Sequence, residues 1–259
     1  MPVGIERHAW MGEWRGLLRR LSSVQDRQQE SGLLRVLGGS TCPTVLGFTN
    51  AHAMNSAARD TAFARALAGC DVLLRDGSGM AILLRLLGQQ PGLNLNGTDL
   101  IPKLLQRLDG RTIALFGTRE PYLAQARSLI EASLAPHSPC ICAHGFLPDA
   151  EYVRLAREHK PALIVLGMGM PRQELLARNL RDALDHPCLI VCGGAIIDFL
   201  GGKTPRAPRW MRASGLEWCY RLAIEPRRLF RRYVLGNPLF LGRALRFKLS
   251  AAGIGRRTT

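Results

Sequence analysis

Short apolar runs alternate with amphipathic stretches between Thr44 and Leu200, and this alternation constrains the fold more than any other feature. Runs such as TVLGF and ALIVLG have the length and composition of fully buried strands. The stretches between them place apolar residues at helical spacing. Strands separated by helices of this length form βαβ units, so the sequence predicts an α/β protein with a doubly wound, mostly parallel sheet covered on both faces.

The individual elements follow from the same pattern. Strands are predicted at 44–48, 71–77, 111–118, 139–146 and 161–170, and helices at 51–70, 78–88, 96–108, 121–134, 149–160 and 171–184; the run HPCLIVCGGAIIDF, 186–199, closes the series. Before them, Trp10, Trp14 and Leu17 recur at helical spacing. We expect that stripe to be a helix packed on the body of the protein, with a surface-seeking amphipathic helix as the alternative.

The positive charge is concentrated at one end of the chain. The formal net charge is +15, and residues 201–259 contain fourteen Lys and Arg against two Glu, a balance of +12. We therefore divide the chain into a helical lead-in (1–43), an α/β catalytic domain (44–200) and a basic C-terminal helical appendage (201–259). A basic segment of this kind indicates an anionic partner: phosphate, nucleic acid or a lipid surface.

Composition narrows the class of protein further. Seven cysteines without a C-x-x-C pair favour reduced core thiols over a metal or disulfide site. Charged residues stand where a signal peptide would need its apolar segment. No apolar run reaches the roughly 20 residues that span a bilayer, so we expect any membrane contact to be peripheral.

Asp76 is the strongest candidate among the carboxylates for a chemical role. It lies at a predicted strand end and is followed by Gly77 and Gly79, which allow close approach of a ligand. Ligands of open α/β sheets bind beyond the carboxyl ends of the strands. The sequence supports two roles for Asp76 equally: a general base acting on a hydroxyl, or the N-cap of the following helix.

Familiar phosphate-binding motifs are missing from the sequence. GMGMPR has Arg172 where G-x-G-x-x-G has its third glycine, so a nicotinamide dehydrogenase is poorly supported. There is neither a P-loop nor an Asp-x-Asp pair for a divalent metal. Bound phosphates would then be neutralised by helix N-termini and arginines. We expect Leu222 to share one helix with the arginines of residues 227–232.

Seven segments together resemble the WecG/TagA/CpsF family of bacterial glycosyltransferases. They are TNAHAMNSAARD, RDGSGMAILLRLLG, NGTDLIPKLL, ALFGT, GMGMPRQE, CGGAIIDFLGGKTPRAPRWM and GLEWCYRLAIEPRRLFRRYVLGNP. The resemblance covers roughly residues 44–242 in the family's order. The last segment, with GLEW, YRL, EPRR, RRY and GNP, is the most specific.

The resemblance implies a Rossmann-like, metal-independent, inverting enzyme. It implies transfer of a sugar from a UDP-sugar such as UDP-N-acetylmannosamine to a sugar on a polyprenyl diphosphate, in the assembly of exopolysaccharide, capsule or related glycans. Asp76 falls on the position of the proposed general base. The expected substrate-binding residues are Thr49, Asn50, Asn96, Gln173, Asp198, Arg221, Arg228 and Arg231. The three arginines are expected to stabilise the diphosphate.

The same resemblance implies partners and a location. We expect no cofactor, no metal and no nucleic acid, an anionic membrane surface as a partner, and a peripheral position on the inner face of the cytoplasmic membrane. A homo-oligomer is left open. Asn94 and Phe48 depart from the family pattern, where an arginine and a small polar residue are common. These departures leave UDP-glucose or a UDP-uronic acid as alternative donors.

Two other classes of protein compete with an enzyme. A basic nucleic-acid-binding protein would use the arginines on phosphates with a steep salt dependence. A non-catalytic lipid-binding scaffold would bind anionic vesicles and turn over nothing. The nucleic-acid-binding alternative gives no role to Asp76 and Gln173.

Overall fold

The computed structural model describes residues 9–255 and shows a six-stranded sheet with helices on both faces. The strands are β1 (Thr44–Thr49), β2 (Val72–Arg75), β3 (Ile113–Gly117), β4 (Cys140–Ala143), β5 (Leu163–Gly167) and β6 (Leu189–Cys192). They lie in the order β2-β1-β6-β5-β3-β4, and every pair is parallel. The predicted doubly wound, Rossmann-like α/β sheet is confirmed.

Fourteen α-helices are found in the part of the chain that the structure describes. The first seven are α1 (Ala9–Arg20), α2 (Arg27–Gly38), α3 (Ala51–Ala57), α4 (Thr61–Ala68), α5 (Gly77–Leu86), α6 (Gly97–Arg107) and α7 (Tyr122–Leu129). The others are α8 (Asp149–His159), α9 (Arg172–Ala183), α10 (Ile196–Leu200), α11 (Arg209–Ala213), α12 (Glu217–Ile224), α13 (Pro226–Phe230) and α14 (Gly236–Gly255). π-helical segments, Ile130–Leu134 and Arg231–Leu235, follow α7 and α13.

Strand residues alternate between two apolar clusters, one on each face of the sheet. In β5, Ile164 and Leu166 belong to one cluster, and Leu163 and Val165 to the other. This period of two places successive side chains on opposite faces, and both faces are covered by helices. That is why the strands read as continuous apolar runs rather than as alternating ones.

The first helix packs on the body of the protein, as its apolar stripe predicts. Trp14 is fully buried, and its indole N–H donates to the carbonyl oxygen of Met54 at 2.8 Å. Its ring contacts Phe240 and Phe247 of α14 at centroid distances of 5.5 and 5.9 Å. The two ends of the described chain therefore meet on one face of the sheet.

Three local expectations were wrong or incomplete. Residues 51–70 form two helices instead of one, because the Asp60 carboxylate accepts from the Phe63 amide and caps a new start. Leu222 is not on the helix of the arginines that follow, because the chain leaves helical geometry at Glu225, before Pro226. Helix α2, capped by Asp26, was not predicted as a separate element.

Four of the seven cysteines are buried, and all seven are unpaired in the described structure, which includes each of them. Burial raises the pKa of Cys70 and Cys188 to about 12, so these thiols stay protonated. They behave as small apolar core residues, as expected.

No helix within residues 9–255 is both long and apolar enough to cross a membrane.

Candidate active site

The carboxyl ends of the parallel strands bring several of the polar residues that the sequence singled out to one edge of the sheet. Asn50 follows β1, Asp76 follows β2, and Thr118 follows β3. Gln173 and Asp198 come one turn later, at the starts of α9 and α10. The topology thus collects polar groups that are far apart in sequence.

The carboxylate of Asp76 does not cap helix α5. The residue occupies the N-cap position, but its side chain makes no capping hydrogen bond. Instead, the Asn50 side-chain amide donates to Asp76 Oδ2 at 3.2 Å. The cap interpretation of Asp76 is therefore wrong, and its carboxylate faces the edge of the sheet with one neighbouring donor.

Asn50 has two functions in the structure. Its Oδ1 accepts from the Ala53 amide at 3.0 Å and caps α3, while its Nδ2 reaches Asp76. The cap fixes the orientation of the side-chain amide, so that its N–H₂ group faces the carboxylate. Thr49, just before it, is buried, and its hydroxyl oxygen has no hydrogen-bond partner among residues 9–255.

Asn94 binds the first backbone amide of α5. Its Oδ1 accepts from the Gly77 amide at 2.8 Å. The loop that carries Asn94 is fixed by the buried guanidinium of Arg75, which donates to the carbonyl oxygens of Pro91 and Gly92, both at 2.6 Å. Sequence reasoning missed Arg75, since a lone arginine at a strand end carries no motif.

Two arginines of the C-terminal appendage lie close to this edge. Arg221 stacks over Phe199 at 5.3 Å, and Arg232 over Tyr233 at 5.4 Å. The Nε atoms of both arginines are buried without a hydrogen-bond partner in the described part of the chain. Burial lowers the pKa of Arg232, and the nearby charge of Asp76 opposes that effect.

Arg232 was not among the expected binding residues, although its i,i+4 spacing from Arg228 signals a shared face. Arg228 itself is held by Glu225, with Nη2 donating to Oε1 at 2.8 Å, and Arg231 is exposed. Their roles in substrate binding stay predictions. His52, close to Arg232, has its pKa lowered to about 4 by burial and by that guanidinium, so it is neutral at pH 7.

Gln173 lies below the surface of the site. Only 1% of it is exposed; its Oε1 accepts from the Gly194 amide at 2.9 Å, and its Nε2 donates to Glu174 Oε1 at 2.8 Å. It therefore fixes the glycine turn that follows β6. A direct contact between Gln173 and a substrate stays a prediction.

Asp198 is paired within the protein. It accepts a hydrogen bond from the Thr118 hydroxyl and lies 3.0 Å from Lys203 Nζ. Thr118 has a φ of +47°, a conformation that costs energy for a β-branched residue and is typical of functional sites. These contacts connect the ends of β3 and β6 with the start of the appendage.

A polar cavity opens beside Asp76. Its volume is about 360 Å³, and it is lined by Asn94, Asn96, Asp99, Arg209, Arg212 and Glu217. Asn96, an expected binding residue, caps α6 through the Asp99 amide at 2.9 Å and also faces this cavity. The cavity lies between the start of α6 and the helices α11 and α12.

The buried carboxyl group of Glu174 predicts a pH-dependent stability. Burial raises its pKa from 4.5 to about 7, and one of its oxygens has no partner within residues 9–255. Between these two values the unfolded chain releases a proton that the folded chain keeps, so the free energy of unfolding falls as pH rises. This loss amounts to about 3 kcal/mol by pH 8.

Glu174→Gln removes the titrating group and should remove this loss. Between pH 4.5 and pH 8, the free energy of unfolding of the variant should rise by about 3 kcal/mol relative to that of the wild type. Urea unfolding at both pH values measures this change. Glu158→Gln, an exposed control, should change stability by less than about 0.5 kcal/mol at either pH. If the free energies of unfolding of Glu174→Gln and the wild type differed by the same amount at both pH values, that result would contradict a buried, neutral carboxyl group.

Comparison with known proteins shows the family of this chain. The profile of the glycosyl transferase WecG/TagA/CpsF family matches residues 26–253. An N-acetylglucosaminyldiphosphoundecaprenol N-acetyl-β-D-mannosaminyltransferase from Bacillus subtilis (strain 168) is 27% identical over 186 residues, which are 70% of this chain and 72% of that protein. The matched residues include the whole sheet, the Asp76 edge and the basic appendage, and the chain belongs to the WecG/TagA/CpsF family of glycosyltransferases.

Proposed function

We propose that this glycosyltransferase moves N-acetylmannosamine from UDP-N-acetylmannosamine to N-acetylglucosamine on a polyprenyl diphosphate. The name of the Bacillus subtilis relative supports this pair of sugars. The observation that carries the proposal is the Asp76 carboxylate, which is free of any capping bond and held by Asn50 at the edge of the sheet.

Asp76 serves as the general base in this proposal. It takes the proton from the acceptor hydroxyl while that oxygen attacks the anomeric carbon of the donor, and the bond from that carbon to the UDP oxygen breaks. Attack opposite the leaving group inverts the anomeric configuration. The Asn50 amide orients the carboxylate, so that one oxygen stays available to the hydroxyl.

Arg221 and Arg232 supply positive charge for the diphosphate. Both guanidinium groups are held by aromatic rings, and both have a buried N–H without a protein acceptor in the described chain. Charge fixed in this way stabilises negative charge that develops on leaving UDP. Arg228 and Arg231, on adjacent turns, extend the basic surface toward the diphosphate of the acceptor.

The appendage also supports a peripheral position at the inner face of the cytoplasmic membrane. Phe240, Ala244 and Phe247 of α14 are buried. Leu245 and Leu249 of the same helix are 53% and 71% exposed, next to the exposed Arg246 and Lys248. Exposed leucines between basic residues suit an anionic lipid surface, where a lipid-linked acceptor is found.

The first test is release of UDP from a panel of UDP-sugars, with and without a short-chain prenyl-diphosphate N-acetylglucosamine. We expect acceptor-dependent release from UDP-N-acetylmannosamine. Asp76→Asn should lower kcat by about 10²- to 10⁴-fold and leave UDP affinity unchanged, because only the proton acceptor is lost. Asp182→Asn, at an exposed ion pair, is the matched control.

Near-normal turnover of Asp76→Asn would refute the base assignment. Acceptor-dependent release from UDP-glucose or a UDP-uronic acid instead would replace the proposed donor. No release from any donor, together with tight RNA or DNA binding, would favour a nucleic-acid-binding protein.

Metal independence is tested in the same assay. Because arginines are proposed to neutralise the diphosphate, treatment with EDTA should leave the initial rate unchanged. The control is addition of Mg²⁺ in excess over EDTA. A rate that disappears with EDTA and returns with Mg²⁺ would show that a metal ion carries the charge.

Membrane contact is tested by sedimentation with anionic vesicles. The double variant Arg246→Glu/Lys248→Glu should weaken vesicle binding at least about tenfold, since each basic residue near an anionic surface contributes about 1 kcal/mol. Arg107→Glu/Arg111→Glu changes the net charge equally at exposed positions outside the appendage and should have a smaller effect. Equal losses in the two variants would refute a specific surface on α14.

A further inference from the structure

Glu217 is an acidic residue with no partner in the described structure, although basic residues surround it. It is half-buried at the start of α12 and lines the 360 Å³ cavity. Among residues 9–255 its carboxylate makes neither a hydrogen bond nor an ion pair. Arg221, four residues later, could pair with it on the helix but stacks on Phe199 instead.

Three other acidic groups of this region have partners within the protein. Asp99 is bound by Arg206 and by the Asn96 amide, Asp198 by Lys203, and Glu225 by Arg228. Burial raises the pKa of Glu217, the charge of Asp76 adds to this effect, and Arg221 and Arg206 oppose it. Because Glu217 lines the cavity and no protein donor in the described chain takes up its carboxylate oxygens, those oxygens are available to the donors of a ligand bound there.

The cavity beside Glu217 is connected to Asp76. Asn94 lines the cavity and at the same time accepts from Gly77, the residue after Asp76. On the other side, Gly215 lies against Ser78, at 3.5 Å between its carbonyl oxygen and the serine Oγ. A ligand in the cavity would therefore contact Asn94, which binds the residue after the proposed base, and Glu217, on whose carboxyl group the charge of Asp76 acts.

The residues that line the cavity indicate which kind of ligand it can bind. The lining consists of two carboxylates, two guanidinium groups and two side-chain amides, without an aliphatic or aromatic side chain. A prenyl chain or a nucleobase would find no apolar or stacking surface, and a phosphate would meet two carboxylates. The balanced charges and numerous donors and acceptors suit an uncharged ring with several hydroxyls.

We propose that this cavity is a subsite for the pyranose ring of one of the two sugar substrates, and that Glu217 binds a hydroxyl of that ring. The assignment rests on the proposed function for the identity of those substrates. It makes Glu217 a sugar-binding residue next to the base, with Asn96 and Asp99 on the opposite wall.

The test measures how much the sugar ring adds to binding, without any turnover. Calorimetric titration compares UDP-N-acetylmannosamine with UDP, and a short-chain prenyl-diphosphate N-acetylglucosamine with the same prenyl diphosphate lacking the sugar. In Glu217→Ala, we expect the affinity gained from the ring to fall by about 10- to 100-fold in one of the two pairs. The pair affected shows whether the donor or the acceptor sugar occupies the cavity.

Glu217→Gln, which keeps the shape and one acceptor, should lose less than Glu217→Ala. The affinities for UDP and for the bare prenyl diphosphate should stay unchanged in both variants, which also shows that they fold. Glu158→Gln is the exposed control. The proposal would be overturned if the affinity that the ring adds stayed unchanged in both pairs of ligands. It would also be overturned if the ligands with and without the ring bound more weakly by the same factor. Either result would count even if the transfer reaction itself were confirmed.

Because the titrations do not depend on catalysis, a failed transfer assay would not decide their outcome. A wild-type protein that gains no affinity from either ring would overturn the sugar subsite by itself. A wild type that gains affinity but transfers nothing would contradict the proposed function and leave the subsite supported.

Discussion

The bond from the Gly77 amide to Asn94 fixes the start of α5, and with it the backbone that follows Asp76. A helix that begins with Gly-Ser-Gly after an aspartate would ordinarily draw that carboxylate onto its own first amides. Here Asn94 takes an amide, and the buried Arg75 keeps the Asn94 loop in place through two carbonyl oxygens. The Asp76 carboxylate makes no capping bond with the helix and accepts from the Asn50 side-chain amide instead.

The appendage is positioned by packing at a distance from the site. Trp14 of α1 contacts Phe240 and Phe247 of α14, and the side-chain amide of Asn55 donates to the carbonyl oxygen of Gly236 at 2.7 Å. These contacts fix the start of α14, directly after the π-helical segment that carries Arg232. The position of the buried guanidinium thus depends on aromatic residues from the two ends of the described chain.

Much of this architecture could be predicted from the sequence because burial on both faces leaves a simple signature. Each of the six strands coincides with an apolar run, and Asp76 is identified as a candidate by the rule that ligands bind at the carboxyl ends of strands.

The features that could not be predicted depend on contacts between residues far apart in the chain. The bond between Arg75 and the carbonyl of Pro91 has no motif, and the missing partner of Glu217 is visible only when its surroundings are known. Asp60 is a different case, because its capping of α4 is local, but the apolar pattern on both sides of it concealed the break.

The buried N–H groups of Arg221 and Arg232 complete the physical account of the site. An arginine N–H that is buried without an acceptor lowers stability, and each of these two half-buried residues has one such N–H in the described chain. Stacking on Phe199 and Tyr233 offsets only part of that cost. Under the proposed function, a diphosphate bound at these arginines would supply the acceptors that both N–H groups lack. Binding would then recover the free energy that the two unpaired groups cost. The proposed sugar subsite adds an acidic group to this arrangement, and the charge of Asp76 acts on both Glu217 and Arg232.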